Sequence, residues 1–61
     1  MNVICLYQVL SLFDTDVYVS IFHNSNILYG GYIPNVPTKY AKYPVMKIKM
    51  LDLHHIIIRV V

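Results

Sequence analysis

Three basic side chains near the C-terminus, Lys47, Lys49 and Arg59, have the types and spacing best suited to chemistry in this chain. They lie in PVMKIKMLDLHHIIIRVV (44–61), where two runs rich in β-branched residues flank the polar break Asp52-Leu53-His54, the pattern of a β-hairpin. Strand residues alternate between faces, so Met46, Ile48 and Met50 share one side and Val45, Lys47 and Lys49 the other. In the returning arm Ile56, Ile58 and Val60 alternate with His55, Ile57, Arg59 and Val61. If Asp52 to His54 form a three-residue loop, Lys47 stands opposite Arg59 and Lys49 opposite Ile57. Like charges directly across a ladder repel by roughly a few tenths of a kcal/mol, and an anion placed between them reverses the sign. That face could bind nucleic acid, a nucleotide or an acidic protein. The plainer reading is a solvated sheet face whose lysines keep the protein soluble and blunt an edge strand.

Tyr29, Tyr32, Tyr40 and Tyr43 gather around the Gly30-Gly31 pair and the loop Pro34-Asn35-Val36-Pro37. Tyrosine offers large contact area at low entropic cost, which suits a protein interface. It also stacks on bases, or caps the open end of a small core. With the three cations, these four are the candidate partner-binding residues.

The remaining reactive types point to structure. His54 and His55 are adjacent, so on a strand they face opposite ways and make a poor metal pair. Cys5, His23, His54 and His55 lack the spacing of a zinc cluster. Cys5 sits among apolar neighbours and reads as packing. Asp14-Thr15-Asp16 reads as a turn. No serine lies in an elbow motif, and Gly30-Gly31-Tyr32 has none of the spacing of a phosphate-binding loop. No catalytic residue, cofactor or metal is expected, and the chain is expected not to be an enzyme.

At 61 residues there is room for one domain, and a chain of this size buries only about 60% of its unfolded surface. One cysteine excludes an internal disulfide. Charged residues make up 13% of the chain, against about 25% in an ordinary domain, and residues 17–38 carry no formal charge. Such a chain is expected to cover part of its apolar surface with another copy of itself or with a partner. The net charge of +2 is too small to imply nucleic acid by itself. The longest apolar stretch, Val3 to Phe13, is interrupted by Gln8 and Ser11 and falls short of the roughly 20 residues of a membrane span. It also lacks the basic start and small-residue cleavage site of a signal peptide. The expected location is the cytoplasm, where a lone thiol is at home.

Reading along the chain, Val3, Leu6, Tyr7, Leu10 and Phe13 form a helical stripe with Gln8 and Ser11 on the other side, which predicts a helix over 3–13. Val17 to Phe22 predicts a strand, His23 to Asn26 a turn, and Ile27 to Ile33 the returning strand. Its paired glycines suggest a bulge, a bend or a close backbone approach. Pro34 and Pro37 stop the sheet. Pro37 suits the first turn of a single helical turn over 38–43, and Pro44 closes that segment. The predicted fold is α+β, with the N-terminal helix packed on one face of a four-stranded antiparallel sheet. Met46, Ile48, Met50, Ile56, Ile58 and Val60 would meet the helix. An all-β barrel or sandwich, with residues 3–10 as a fifth strand, is the alternative.

The segment LYGGYIPNVPTKY (28–40), followed by Val45, Ile48 and the terminal I-x-I-x-V of residues 56–60, resembles small proteins of bacteriophages and mobile elements of Gram-positive bacteria. Those proteins show an apolar helix, a strand and turn, an L-Y-x-G, an I-P pair and two closing strands. The resemblance implies a phage-encoded protein, and those of the group with a role often block host defence systems. This chain departs from the pattern in its helix, which lacks acidic residues, and in the glycine pair, so no functional residue carries over.

Two functional expectations follow. The first is a non-enzymatic interaction module, phage-encoded and cytoplasmic in the host, that forms a homodimer or higher oligomer and inhibits or modulates a host protein such as a nuclease or defence complex. The second is a small binder of nucleic acid or nucleotides through Lys47, Lys49 and Arg59 with nearby tyrosines.

Overall fold

The computed structural model describes residues 3–61. In order they form a short helix α1 (Leu6–Leu10), strand β1 (Tyr18–His23), strand β2 (Asn26–Tyr32), two 3-10 turns (Ile33–Asn35 and Thr38–Tyr40), strand β3 (Val45–Asp52) and strand β4 (His55–Val60). The α+β architecture is as expected, but the sheet is mixed. Strand order is β2-β1-β4-β3, with antiparallel β1–β2 and β3–β4 pairs and a parallel β1–β4 pair at the centre.

The parallel pairing corrects the all-antiparallel expectation, and its cause is in the composition of the strands. Two hairpins can join through any pair of their strands, and the join buries the two strands chosen. β1 supplies Val19 and Ile21, and β4 supplies Ile56, Ile58 and Val60, all fully buried. β2 contains two glycines and β3 two lysines, both of which belong at a sheet edge. Joining β1 to β4 puts the apolar strands in the middle, and their directions then make the pair parallel. The segment from Ile33 to Pro44 must therefore cross the sheet. It does so on the same side as α1, with Ile33, Val36, Tyr40 and Tyr43 packed against the core.

The helix is shorter than the apolar run suggests. Cys5 is extended (φ −87°, ψ 156°) and bridges to Pro44, and the amide of Val45 donates to the carbonyl of Ile4 at 2.8 Å. Residues 4 and 5 thus cover the start of the β3 edge before the helix begins. The Gln8 side-chain carbonyl accepts from the Cys5 amide at 2.8 Å, and the Ser11 hydroxyl donates to the Gln8 carbonyl at 2.7 Å. These local bonds bracket a helix of little more than one turn. Its buried face is Leu6, Val9 and Leu10, with Val3 and Tyr7 of the expected stripe left exposed. The run is neither a full helix nor a fifth strand.

The core lies between the sheet and this cover: Leu6, Val9, Leu10, Val17, Val19, Ile21, Ile56, Ile58 and Val60. The expected contribution of β3 is largely missing. Met46, Ile48 and Met50 stay exposed, because α1 is too short to reach the β3 edge. Met46 is moreover the extra residue of a bulge, which turns Val45 inward to pair with Val60.

Turns follow the residue types expected of them. Asn24 holds φ 56° in the first hairpin, a left-handed conformation that Asn tolerates. Pro34 opens the first 3-10 turn and Pro37 precedes the second. The glycine pair is a close approach, with the bulge displaced to Leu28, opposite the step from Ile21 to Phe22. Neither glycine has positive φ. An added Cβ at Gly30 would lie 3.2 Å from the Tyr18 hydroxyl, and one at Gly31 only 2.5 Å from the Tyr29 hydroxyl. Each glycine opens a hollow, one per face, in which a tyrosine lies.

Candidate functional site

The face of the sheet turned away from α1 is covered by no other element and can be read as a grid from the strand registers. At one end, Tyr32 of β2, Tyr18 of β1, His55 of β4 and Asp52 of β3 stand in a row. The middle row is Gly30, Ser20, Ile57 and Lys49. The far row is Ile27, Phe22, Arg59 and Lys47.

The cation register is the one expected: Lys47 opposite Arg59, Lys49 opposite Ile57. It is reached by another route. The turn is Leu53-His54, two residues, with Asp52 paired to His55. A bulge at Leu51 then restores the one-residue offset of a three-residue loop. Lys47, Lys49 and Arg59 line one shallow depression with Phe22 and Ile57. Among the described residues the one carboxylate within 4 Å of a basic side chain is Asp16, 3.6 Å from His54 Nδ1 at the opposite end of the sheet. The three cations are therefore unneutralised by any described carboxylate.

The aromatic end is built around Tyr18. Its ring packs edge-on against Tyr32 (centroids 5.7 Å, 80° between planes) and against His55 (5.0 Å, 82°). Edge-to-face contacts of this geometry contribute about 0.5–1.5 kcal/mol beyond burial. His55 Nε2 lies 3.2 Å from Ser20 Oγ. A serine beside a histidine can in principle act as a nucleophile and its base. Here Ser20 sits mid-strand between two ladders that take up the neighbouring backbone donors. No amide is left to stabilise an oxyanion, and the contact reads as a cross-strand polar link.

The four tyrosines singled out from the sequence separate by location. Tyr32 is exposed on the outer face. Tyr29, Tyr40 and Tyr43 are half-buried on the other side, packed against the core. The Tyr29 hydroxyl donates to the Tyr32 carbonyl at 2.9 Å. Tyr40 and Tyr43 pack edge-to-face at 5.7 Å, with the Lys39 ammonium 5.2 Å from the Tyr40 ring centre. These two stand apart from the cations. Tyr18, Phe22 and His55, which share a face with the cations, were not among the candidates. The alternation Tyr18-Ser20-Phe22 put them on one side of a strand, and the composition of β1 and β4 was the available clue to their adjacency.

Cys5 is half-buried at the helix start. Among the described residues no group of histidine, cysteine and acidic side chains could hold a metal ion. Among the described residues no helix is long and apolar enough to cross a membrane. No family model, curated protein or solved structure matches the chain, so the site is read from its own geometry.

Proposed function

We propose that this chain is a non-enzymatic binding module whose outer sheet face takes a phosphate-bearing partner, nucleic acid or nucleotide. The observation that carries the reading is the cluster of Lys47, Lys49 and Arg59 on one open depression with no carboxylate in its lining. Lys47 and Arg59 face each other across the ladder, so each raises the cost of the other until an anion joins them. Three cations on a rigid sheet also lose less freedom on binding than cations on a loop. The test is charge reversal, Lys47→Glu with Arg59→Glu, followed by binding to a labelled oligonucleotide at low salt. Loss of binding is expected. Unchanged affinity would remove the proposal.

A second reading is favoured by a different surface. On the inner side of β3, Met46 and Ile48 line an apolar groove with Val3, Ile4 and Val9, and Met50 and Leu51 beside it are exposed. A protein partner, either a second copy or a host protein, would cover it. Such a partner agrees with the low charge content and with the resemblance to small phage proteins. The two surfaces lie on opposite faces of β3 and meet at Lys47, which lines both.

A further inference from the structure

We propose that the outer face holds single-stranded nucleic acid in one orientation, with bases stacked on Tyr18 and Tyr32 and the phosphates of the same strand on Lys49, Arg59 and Lys47. This rests on the phosphate-binding reading above and adds to it the form of nucleic acid and the residues that choose it.

Charge is segregated along the strands. Asp14, Asp16 and Asp52, the only acidic residues of the chain, all fall at the end where β1 begins and β3 finishes. The aromatic row lies at that end, and the cations lie in the middle and far rows. A phosphate is repelled from the aromatic row and attracted beyond it, while an uncharged base is indifferent to the carboxylates. The face thus has a base end and a phosphate end.

Tyr18 and Tyr32 keep 37% and 53% of their surface in water, so ring area is free for a ligand. Their position is also set in advance. Tyr18 is flanked by two perpendicular rings and lies against the hollow at Gly30, so little freedom is lost on stacking. Residues two apart on a strand are about 6.7 Å apart, and neighbouring strands about 4.8 Å. The step from Tyr18 to Lys49 is two strands and one row, on the order of 12 Å, which a short stretch of single strand spans.

A duplex does not fit this surface. The major groove admits a helix or a two-stranded ribbon, and a flat four-stranded face is too broad to enter it. A broad sheet face presents its rings to the faces of bases only where these are unpaired and splayed out. A bare sheet face with aromatics and flanking cations has the features that single strands require.

Fluorescence anisotropy with a short labelled homopyrimidine strand tests this, set against a duplex of the same length and inorganic polyphosphate. The single strand should bind most tightly, with a slope of log K against log salt near −2 from three phosphate contacts, about −0.7 each. Tyr32→Ala and Tyr18→Ala should each weaken single-strand binding roughly 5- to 150-fold and leave polyphosphate binding unchanged, while Tyr18→Phe keeps the affinity. Tyr32 accepts the Tyr29 hydroxyl through its backbone carbonyl, so Tyr32→Ala leaves that bond in place and serves if Tyr18→Ala unfolds. Duplex or polyphosphate bound as tightly as the single strand, with no effect of Tyr32→Ala or Tyr18→Ala, would overturn the stacking while the cationic face stood. No loss on reversing Lys47 and Arg59 would overturn both.

Discussion

At the scale of single residues, the glycine pair shows how two neighbours of one type can do different work. Gly31 makes room for Tyr29, whose hydroxyl and ring carbon would lie 2.5 and 2.9 Å from an added Cβ. Gly31→Ala must push that ring aside and break its bond to the Tyr32 carbonyl. A loss of about 1–2 kcal/mol is expected, seen as a lower urea midpoint. At Gly30 the nearest atom is the Tyr18 hydroxyl at 3.2 Å, on an open face where the ring can shift. Gly30→Ala also removes the roughly 0.5–1 kcal/mol that a strand glycine costs, so stability should change by less than about 0.5 kcal/mol. Asn24 supplies a separate residue-scale test. Its φ of 56° makes Asn24→Ala cost about 1 kcal/mol, whereas Asn24→Gly should be near neutral.

At the scale of elements, position in the sheet decides what a side chain contributes. Ile48 and Ile58 are cross-strand partners on the same face. Ile58 is fully buried in a central strand, while Ile48 on the edge keeps 43% of its surface exposed. Ile58→Ala is expected to cost about 3 kcal/mol and Ile48→Ala about 1 kcal/mol or less. A domain of this length holds roughly 3–9 kcal/mol in total, so the first change should remove about a third or more of it, seen as a much lower urea midpoint. Equal losses in paired denaturation curves would contradict the division into central and edge strands. The basic register is also a property of elements. The two-residue turn and the bulge at Leu51 offset each other, and removing either would slide Lys47 past Arg59.

At the scale of the whole molecule, one face of the sheet carries the core, with Tyr29, Tyr40 and Tyr43 packed against it, and the other carries Lys47, Lys49, Arg59 and Tyr32. The cover is thin, because α1 has only five residues and the crossing segment supplies the rest. It leaves the inner side of β3 bare. If that surface joins two copies, light scattering should show a concentration-dependent dimer or higher oligomer. Ile48→Gln with Met50→Gln should then return it to the monomer, and because it adds no charge oligonucleotide binding through the cations should be kept. A monodisperse monomer at high concentration would remove the self-association reading and leave the outer face untouched.

Much of the local structure was legible in the sequence, because it depends on neighbours a few residues apart. Alternation in β1, β3 and β4, the breaks at Pro34 and Pro37 and the turn at Asn24 follow from strand period and turn chemistry, whereas Lys47 faces Arg59 only because a bulge at Leu51 offsets a turn one residue shorter than expected. The apolar run at the start misled for a related reason. A helix formed over Leu6 to Leu10, burying Leu6, Val9 and Leu10 rather than the Tyr7 of the expected stripe, but the backbone of Ile4 and Cys5 found a strand to pair with, which periodicity does not register. The order of the strands was decided only in three dimensions. Which hairpin edges meet depends on burying the most apolar strands together, a comparison between segments more than thirty residues apart. That choice made the central pair parallel and sent the crossing segment over one face. It also set Tyr18, Phe22 and His55 beside the cations.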